Sequence, residues 1–264
     1  MSTKRVVVVT GATGGIGSAV CRTLSREGYA VVAHYRGSHD KARELGESLA
    51  QEGHVCHLVN SDLSVDAGVD DLVGYVDDLL AKQSSHSLVA LVNNAAKLLG
   101  PSFFDATSEQ FDEYFRLNAK APFFLSQQFS LRMPPGASVV NVSSASAHFS
   151  SPGDIVYAMT KATVESLTKN MAEAVASRGI RVNAVIPGFT DNGHHAFQDP
   201  TVREYMSGFA VLGDISTPET VADAIAFLLS DKAGRTTGSM LDVSGGSTLS
   251  ARGHRASTVR HLLP

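Results

Sequence analysis

The chain has 264 residues, 43% of them hydrophobic and 18% charged, with a formal net charge of −4. That balance excludes a disordered or fibrous chain and predicts a globular protein with a sizeable core, expected as one domain over residues 1–264. It supplies no positive field, so neither nucleic acid nor a membrane surface is expected as a partner. Cys21 and Cys56 are the only cysteines; they make no disulfide framework and suit a reducing compartment. The opening MSTKRVVVVTGATGG lacks the long apolar core and cleavage site of a signal peptide, and no stretch reaches the roughly 20 apolar residues of a membrane span. A cytoplasmic location is the resulting expectation.

Seven short apolar runs read as strands: Arg5 to Thr10, Ala30 to His34, Val55 to Val59, Leu88 to Asn93, Ser138 to Val142, Arg181 to Ile186 and Ser239 to Val243. Longer segments of helical period separate them. Several runs, such as VVVV and LVALV, lack polar alternation, as strands do when helices cover both faces. The fold class is therefore α/β, a Rossmann-type doubly wound seven-stranded parallel sheet with helices on both faces. Ile16, Val20 and Leu24 line one face of the first helix, which Gly28 ends.

Between the first strand and that helix lies Thr10-Gly11-Ala12-Thr13-Gly14-Gly15-Ile16-Gly17. Backbone N–H groups at a helix N-terminus suit an anion such as a pyrophosphate, although glycine-rich turns also join strands to helices in proteins that bind nothing. At the end of the second strand, where an acid would receive ribose hydroxyls, the chain has Tyr35, then Arg36, Gly37 and Ser38. A cation and a hydroxyl there favour a 2′-phosphate, hence NADP(H); the plain alternative is a solvated surface arginine. Further on, Tyr157 and Lys161 stand at i and i+4 on one helix face, a phenol beside an ammonium. A lysine so placed and the charge of an oxidised nicotinamide are together expected to lower the phenol's pKa and make it a usable proton donor.

These features, in this order, resemble the short-chain dehydrogenase/reductase family over nearly the whole chain. Gly11, Gly15 and Gly17 match its TGxxxGxG spacing, and with Thr13 and Ile16 are implied to hold the cofactor. Asp62-Leu63 after the third strand resembles the pair that meets the adenine ring. Asn93-Asn94-Ala95-Ala96 resembles the family's NNAG motif, with Ala96 for the usual glycine, and implies cofactor contact from Asn94, Ala95 and Ala96. Pro187-Gly188 and Thr190 resemble the turn beside the nicotinamide. Ser144 stands thirteen residues before Tyr157, the family's serine-to-tyrosine interval, which implies Ser144, not Ser143, as the group that holds the substrate oxygen. Asn118 resembles the residue that supports a proton relay; a structural helix-bending role is its alternative. Asn141 and Asn183 read as structural hydrogen-bonding residues.

The pattern, HYRGS after strand two included, looks most like 3-oxoacyl-acyl-carrier-protein reductases and related polyketide ketoreductases. It implies NADPH-dependent reduction of a small-molecule ketone, free or carrier-protein-bound, by a homodimer or homotetramer. NAD-linked alcohol oxidation and a non-catalytic NADP-binding regulator are the alternatives. Specificity is expected in a lid at about 189–217 and in Ala145 to Val156, with His148, Phe149 and Phe197 as aromatic pocket walls. The ten histidines, with the His194-His195 pair among them, form no metal-ligand spacing, so no metal is expected. Arg252, Arg255 and Arg260 lie in a C-terminal tail, 247–264, that either frays or crosses to a neighbouring subunit.

Overall fold

Four consecutive valines, Val6 to Val9, show how the sequence makes the sheet. In the computed structural model, which describes residues 3–191, 197 and 199–249, all four are fully buried. Strand alternation sends Val6 and Val8 into one core, with Leu72, Leu125 and Phe129. It sends Val7 and Val9 into a second core on the other face, with Leu24, Ile225 and Leu228. Each such side chain contributes roughly 1.5–3 kcal/mol through burial, so polar residues are excluded from both faces of the strand.

The sheet has seven parallel strands: β1 (Lys4–Val9), β2 (Ala30–Tyr35), β3 (Cys56–Asn60), β4 (His86–Asn93), β5 (Ser138–Val142), β6 (Arg181–Pro187) and β7 (Met240–Val243). All seven expected strands are present, with ends that differ from the sequence reading by one or two residues at most. One face is covered by α3 (Asp66–Lys82), α5 (Ala121–Ser130) and α6 (Ile155–Ala174). The other is covered by α1 (Gly15–Arg26), α2 (His39–Gln51) and α8 (Pro218–Leu229). Helix α4 (Ser108–Phe115) runs through a single π turn, Arg116–Lys120, into α5.

Strand order is β3-β2-β1-β4-β5-β6-β7. The chain winds outward from β1 to β3 and then crosses back to β4, so connections from β1 and β4 diverge and open a crevice at their carboxyl ends. The two connections are tied together there. Asn94 Nδ2 donates to the carbonyls of Thr10 (2.9 Å) and Gly11 (3.2 Å), and the N–H groups of Asn94 and Ala95 donate to Thr10 Oγ1 at 3.0 Å each. The turn is tight enough to need its glycines. Gly11 has φ +67°, and a Cβ on Gly17 would lie 2.2 Å from the Gly11 carbonyl oxygen. Gly17→Ala is therefore expected to cost about 1–3 kcal/mol in a denaturant melt and to weaken nucleotide binding, as overpacking moves α1 off the turn. An unchanged melt would mean that the helix yields without strain.

Between β6 and α8 the chain makes an excursion that contains α7 (Pro200–Ser207). Its neck is closed by a parallel bridge between Thr190 and Ser216, where Asp191 N–H donates to Ser216 O and Ser216 N–H to Phe189 O, each at 2.9 Å. The His194-His195 pair and the arginines of the tail lie outside the described residues. No described helix is long and apolar enough to cross a membrane, and no described cluster could hold a metal ion.

Candidate active site

Parallel strands end on one edge, so the residues that follow β1, β4, β5 and β6 share a single rim. Helix α6 brings Tyr157 and Lys161 to it, one helical turn apart. Lys161 is 3% exposed and its Nζ donates to the Val142 carbonyl at 2.8 Å, 5.6 Å from the centre of the Tyr157 ring. Among the described residues no carboxylate pairs with its ammonium, and burial lowers its pKa to about 8.

The phenol does not follow the sequence expectation. Burial pushes Tyr157 up to about 12, against a hydrogen bond from Ser144 that lowers it, while the negative charge of Asp154 and, to a lesser extent, the neighbouring Tyr114 phenol raise it further. The nearby Lys161 ammonium does not offset that burial, because the low-dielectric surroundings penalise phenolate and ammonium alike. Tyr157 accordingly stands protonated at neutral pH, an acid ready to donate. Asp154 accepts a hydrogen bond from Gly100 N–H. Asp154→Asn keeps that acceptor and removes the charge, so the phenol pKa is expected to fall. The phenolate absorbance of Tyr157 would then begin its alkaline rise at lower pH. A rise unmoved or moved upward would show that Asp154 does not act on the phenol.

Ser144 opens the short turn Ala145–Ala147. Its oxygen accepts from Ser146 N–H (3.2 Å) and Ser146 Oγ–H (3.0 Å). With both lone pairs engaged, its own proton is left to point away, toward Tyr157 and any oxygen bound beside it. Asn118 sits in the π turn, fully buried. Its Nδ2 donates to Lys97 O (3.0 Å) and Thr160 Oγ1 (3.1 Å), and its Oδ1 accepts from Lys97 N–H (2.8 Å). It thus ties the loop after β4 to α6. The second Oδ1 lone pair takes no hydrogen bond from the described residues.

At the nucleotide end, Gly14 caps α1 without any side-chain cap, so the first N–H groups of the helix face outward beside Thr13, Gly15 and Ile16. Tyr35 is half-buried, its hydroxyl 3.3 Å from His39 Nδ1. Arg36 is exposed and pairs with Asp62 at 3.2 Å. Burial raises the Asp62 carboxyl, but hydrogen bonds from Ser64 and Arg36 outweigh this and hold it below its ordinary value. Ser38 begins α2 without a capping bond, its hydroxyl unused there. Leu63 is buried, and Ala96 is half-buried beside Asn94 and Ala95. Pro187 ends β6, Gly188 packs so closely on Ser244 that a Cβ would lie 2.8 Å from its carbonyl oxygen, and Thr190 Oγ1 donates to Gly188 O at 3.1 Å. A glycine cradle that a Cβ would fill, an uncapped helix N-terminus and a buried lysine without a counterion fit a bound dinucleotide.

Several neighbours escape a reading of the sequence. His34 is buried, accepts Gly11 N–H on Nδ1 at 3.3 Å and lies 3.0 Å from Ser61 O through Nε2. Burial lowers its pKa and keeps the ring neutral, so it braces the glycine turn as a single tautomer. Its place at the end of an otherwise apolar strand was the available signal. Phe149 does enter an aromatic cluster, 5.9 Å from Phe209, which Phe189 and Tyr205 also meet at 5.3 Å each. Phe197 is half-buried. His148 instead turns to Glu165 at 2.9 Å. Asn141 and Asn183 are structural, as expected: the first joins Asn93 to Thr168, the second bonds Thr236 O and Ser239 N–H. Cys21 and Cys56 are free thiols.

A sheet wound about this crevice, with serine, tyrosine and lysine on its rim, defines a dinucleotide-linked oxidoreductase. The model for a family described as enoyl-(acyl carrier protein) reductase matches residues 11–248. The 3-oxoacyl-[acyl-carrier-protein] reductase FabG of Staphylococcus aureus is 32% identical over 249 residues, covering 93% of this chain and 99% of that one. Among solved structures, the angucycline C-6 ketoreductase LanV with bound NADP superposes with a TM-score of 0.89 at 37% identity, covering 94% of this chain and 97% of LanV. LugOII, a promiscuous reductase that catalyses keto-reduction at C1 during lugdunomycin biosynthesis, gives 0.90 at 36% identity over 94% and 99%. The chain belongs to the short-chain dehydrogenase/reductase family of oxidoreductases.

Proposed function

We propose that this protein is an NADPH-dependent ketoreductase that acts on a polyketide-like or 3-oxoacyl ketone. The observation that carries the reading is the Tyr157 phenol, whose pKa burial raises, one helical turn from the buried Lys161 and near a Ser144 hydroxyl whose only free valence is a proton. The bound nicotinamide would supply hydride to the carbonyl carbon. Ser144 orients the carbonyl oxygen by donating to it, and Tyr157 gives that oxygen its proton as the alcohol forms. Lys161 stabilises the resulting phenolate and holds the nicotinamide ribose, and Asn118 supports the water that returns the proton.

In the same reading Gly11, Thr13, Gly15, Ile16 and Gly17 hold the pyrophosphate, and Asp62, Leu63, Asn94, Ala95 and Ala96 line the adenosine side. Tyr35, Arg36 and Ser38 receive the 2′-phosphate, and Pro187, Gly188 and Thr190 flank the nicotinamide. The aromatic cluster around Phe209 accords with a flat, polycyclic ketone such as the substrates of LanV-like relatives, and the FabG likeness with a carrier-bound 3-oxoacyl group. Exposed Phe123 and Phe124 on α5 and Met159 on α6 leave apolar surface that a second copy would cover, which supports a homo-oligomer. The free thiols suit the cytoplasm.

The test is nicotinamide absorbance with NADPH and NADH against trans-1-decalone, an acetoacetyl thioester and a polycyclic quinone. Oxidation of NADPH with one of them is expected, faster than with NADH. Tight NADPH binding without turnover of any ketone would count against the reductase in favour of a nucleotide-binding regulator.

A further inference from the structure

One carboxylate beside the site has no part in the chemistry above. Glu165 lies one turn beyond Lys161 on α6, on the helix line that carries Tyr157 and Lys161. A single oxygen, Glu165 Oε1, accepts from Ser143 Oγ at 2.6 Å and contacts His148 Nε2 at 2.9 Å. Ser143 immediately precedes Ser144, and His148 closes the turn that Ser144 opens, with its N–H donating to Ala145 O. Ser143 is 2% exposed, and the Glu165 side chain is 13% exposed. The two residues that bracket the four-residue stretch 144–147 are therefore fastened to one atom of the helix that holds the tyrosine and lysine.

We infer that Glu165 is a positioning residue that fixes Ser144 against Tyr157 by stapling both ends of its turn to α6. This rests on the role proposed above for Ser144. Two features make the staple more than local packing. The atom that anchors the turn belongs to the same rigid helix as the proton donor, so the distance between serine and tyrosine is set by α6 itself and not by the path of the loop. The next residue along, Phe149, packs on Phe209 just after α7, so without the staple the turn would be free to follow the segment over the site. Orientation of this kind matters to rate, since small displacements of a catalytic group cost about 100-fold.

The experiment compares Glu165→Ala, Glu165→Gln, Ser143→Ala, His148→Ala and the Ser143→Ala/His148→Ala pair, with trans-1-decalone and NADPH. Glu165→Ala is expected to lower kcat about 10- to 100-fold with the NADPH dissociation constant held within about twofold. Glu165→Gln should recover most of the rate, because an amide oxygen still accepts from both partners. The paired variant should match Glu165→Ala, as two arms of one anchor do in a mutant cycle. Amide hydrogen exchange across residues 143–149 should quicken in Glu165→Ala and stay near wild type in Glu165→Gln.

An unchanged kcat, an equal loss of NADPH affinity, or unchanged exchange in 143–149 would overturn the inference. Should Glu165→Ala not fold, the Ser143→Ala/His148→Ala pair decides it by the same readings. If wild-type enzyme shows no turnover, or Tyr157→Phe keeps it, the proposed function has failed instead, and hydrogen exchange alone still decides whether the staple exists.

Discussion

Replacing Tyr157 by phenylalanine is expected to lower kcat by about 10²- to 10⁴-fold while NADPH affinity stays the same. The substitution removes one oxygen from a half-buried ring and leaves the helix and Lys161 in place. What would disappear is the proposed proton donor. Its pKa of about 12 makes the phenol a weak acid but one that is fully protonated across the neutral range, which favours reduction over oxidation at that pH. Oxidation of the alcohol should rise with pH as the phenolate forms, and reduction should fall over the same interval. Single-turnover absorbance with wild type and variant checks both arms. A variant that turns over at the wild-type rate would remove Tyr157 from the chemistry and leave Ser144 without its partner.

The second large effect concerns the choice between the two nicotinamide cofactors. Arg36→Ala is expected to raise the dissociation constant for NADPH by about 10- to 100-fold and to leave that for NADH nearly unchanged, because a charge-assisted bond to phosphate is worth about 1.5–3 kcal/mol. Arg36 is paired with Asp62 in the structure, with side chains 60% and 43% exposed. An ion pair so open to water is worth at most about 1 kcal/mol, so the guanidinium can turn to a 2′-phosphate at small cost. Fluorescence titration at two salt concentrations would show the phosphate contribution directly, since screening weakens NADPH binding and spares NADH. A ratio unmoved by the substitution would make Arg36 a surface arginine and place selectivity elsewhere on the rim.

Much of this protein was legible before any coordinates, for identifiable reasons. The unalternated valines of β1 required helices on both faces, and those helices are present. The Gly11, Gly15 and Gly17 spacing required a turn too tight for side chains, and a Cβ on Gly17 would indeed strike the Gly11 carbonyl. Strand ends were less exact, since a backbone bond more or less at the sheet edge carries little energy. The electrostatics of the phenol were legible only in part, since burial opposes what the neighbouring lysine implies. Residue spacing reports that a lysine is near, whereas the balance between burial and charge depends on how much protein surrounds the pair.

The sequence by itself determined the parallel sheet, the tight glycine turn and the Tyr157–Lys161 pair on one helix face, because these follow from periodicity, glycine spacing and residue type over short stretches of chain, while the family resemblance pointed to Ser144 and Asn118. Only the tertiary structure decided which groups support them. His34 meets Gly11, Asn94 clamps the first turn and Asn118 ties Lys97 to Thr160. Glu165 gathers Ser143 and His148, and Phe209 joins the far excursion to Phe149. Most of these contacts link residues far apart in the chain. Their partners are selected by the path that brings strands into register and packs helices over them, and no local pattern in the sequence encodes that path.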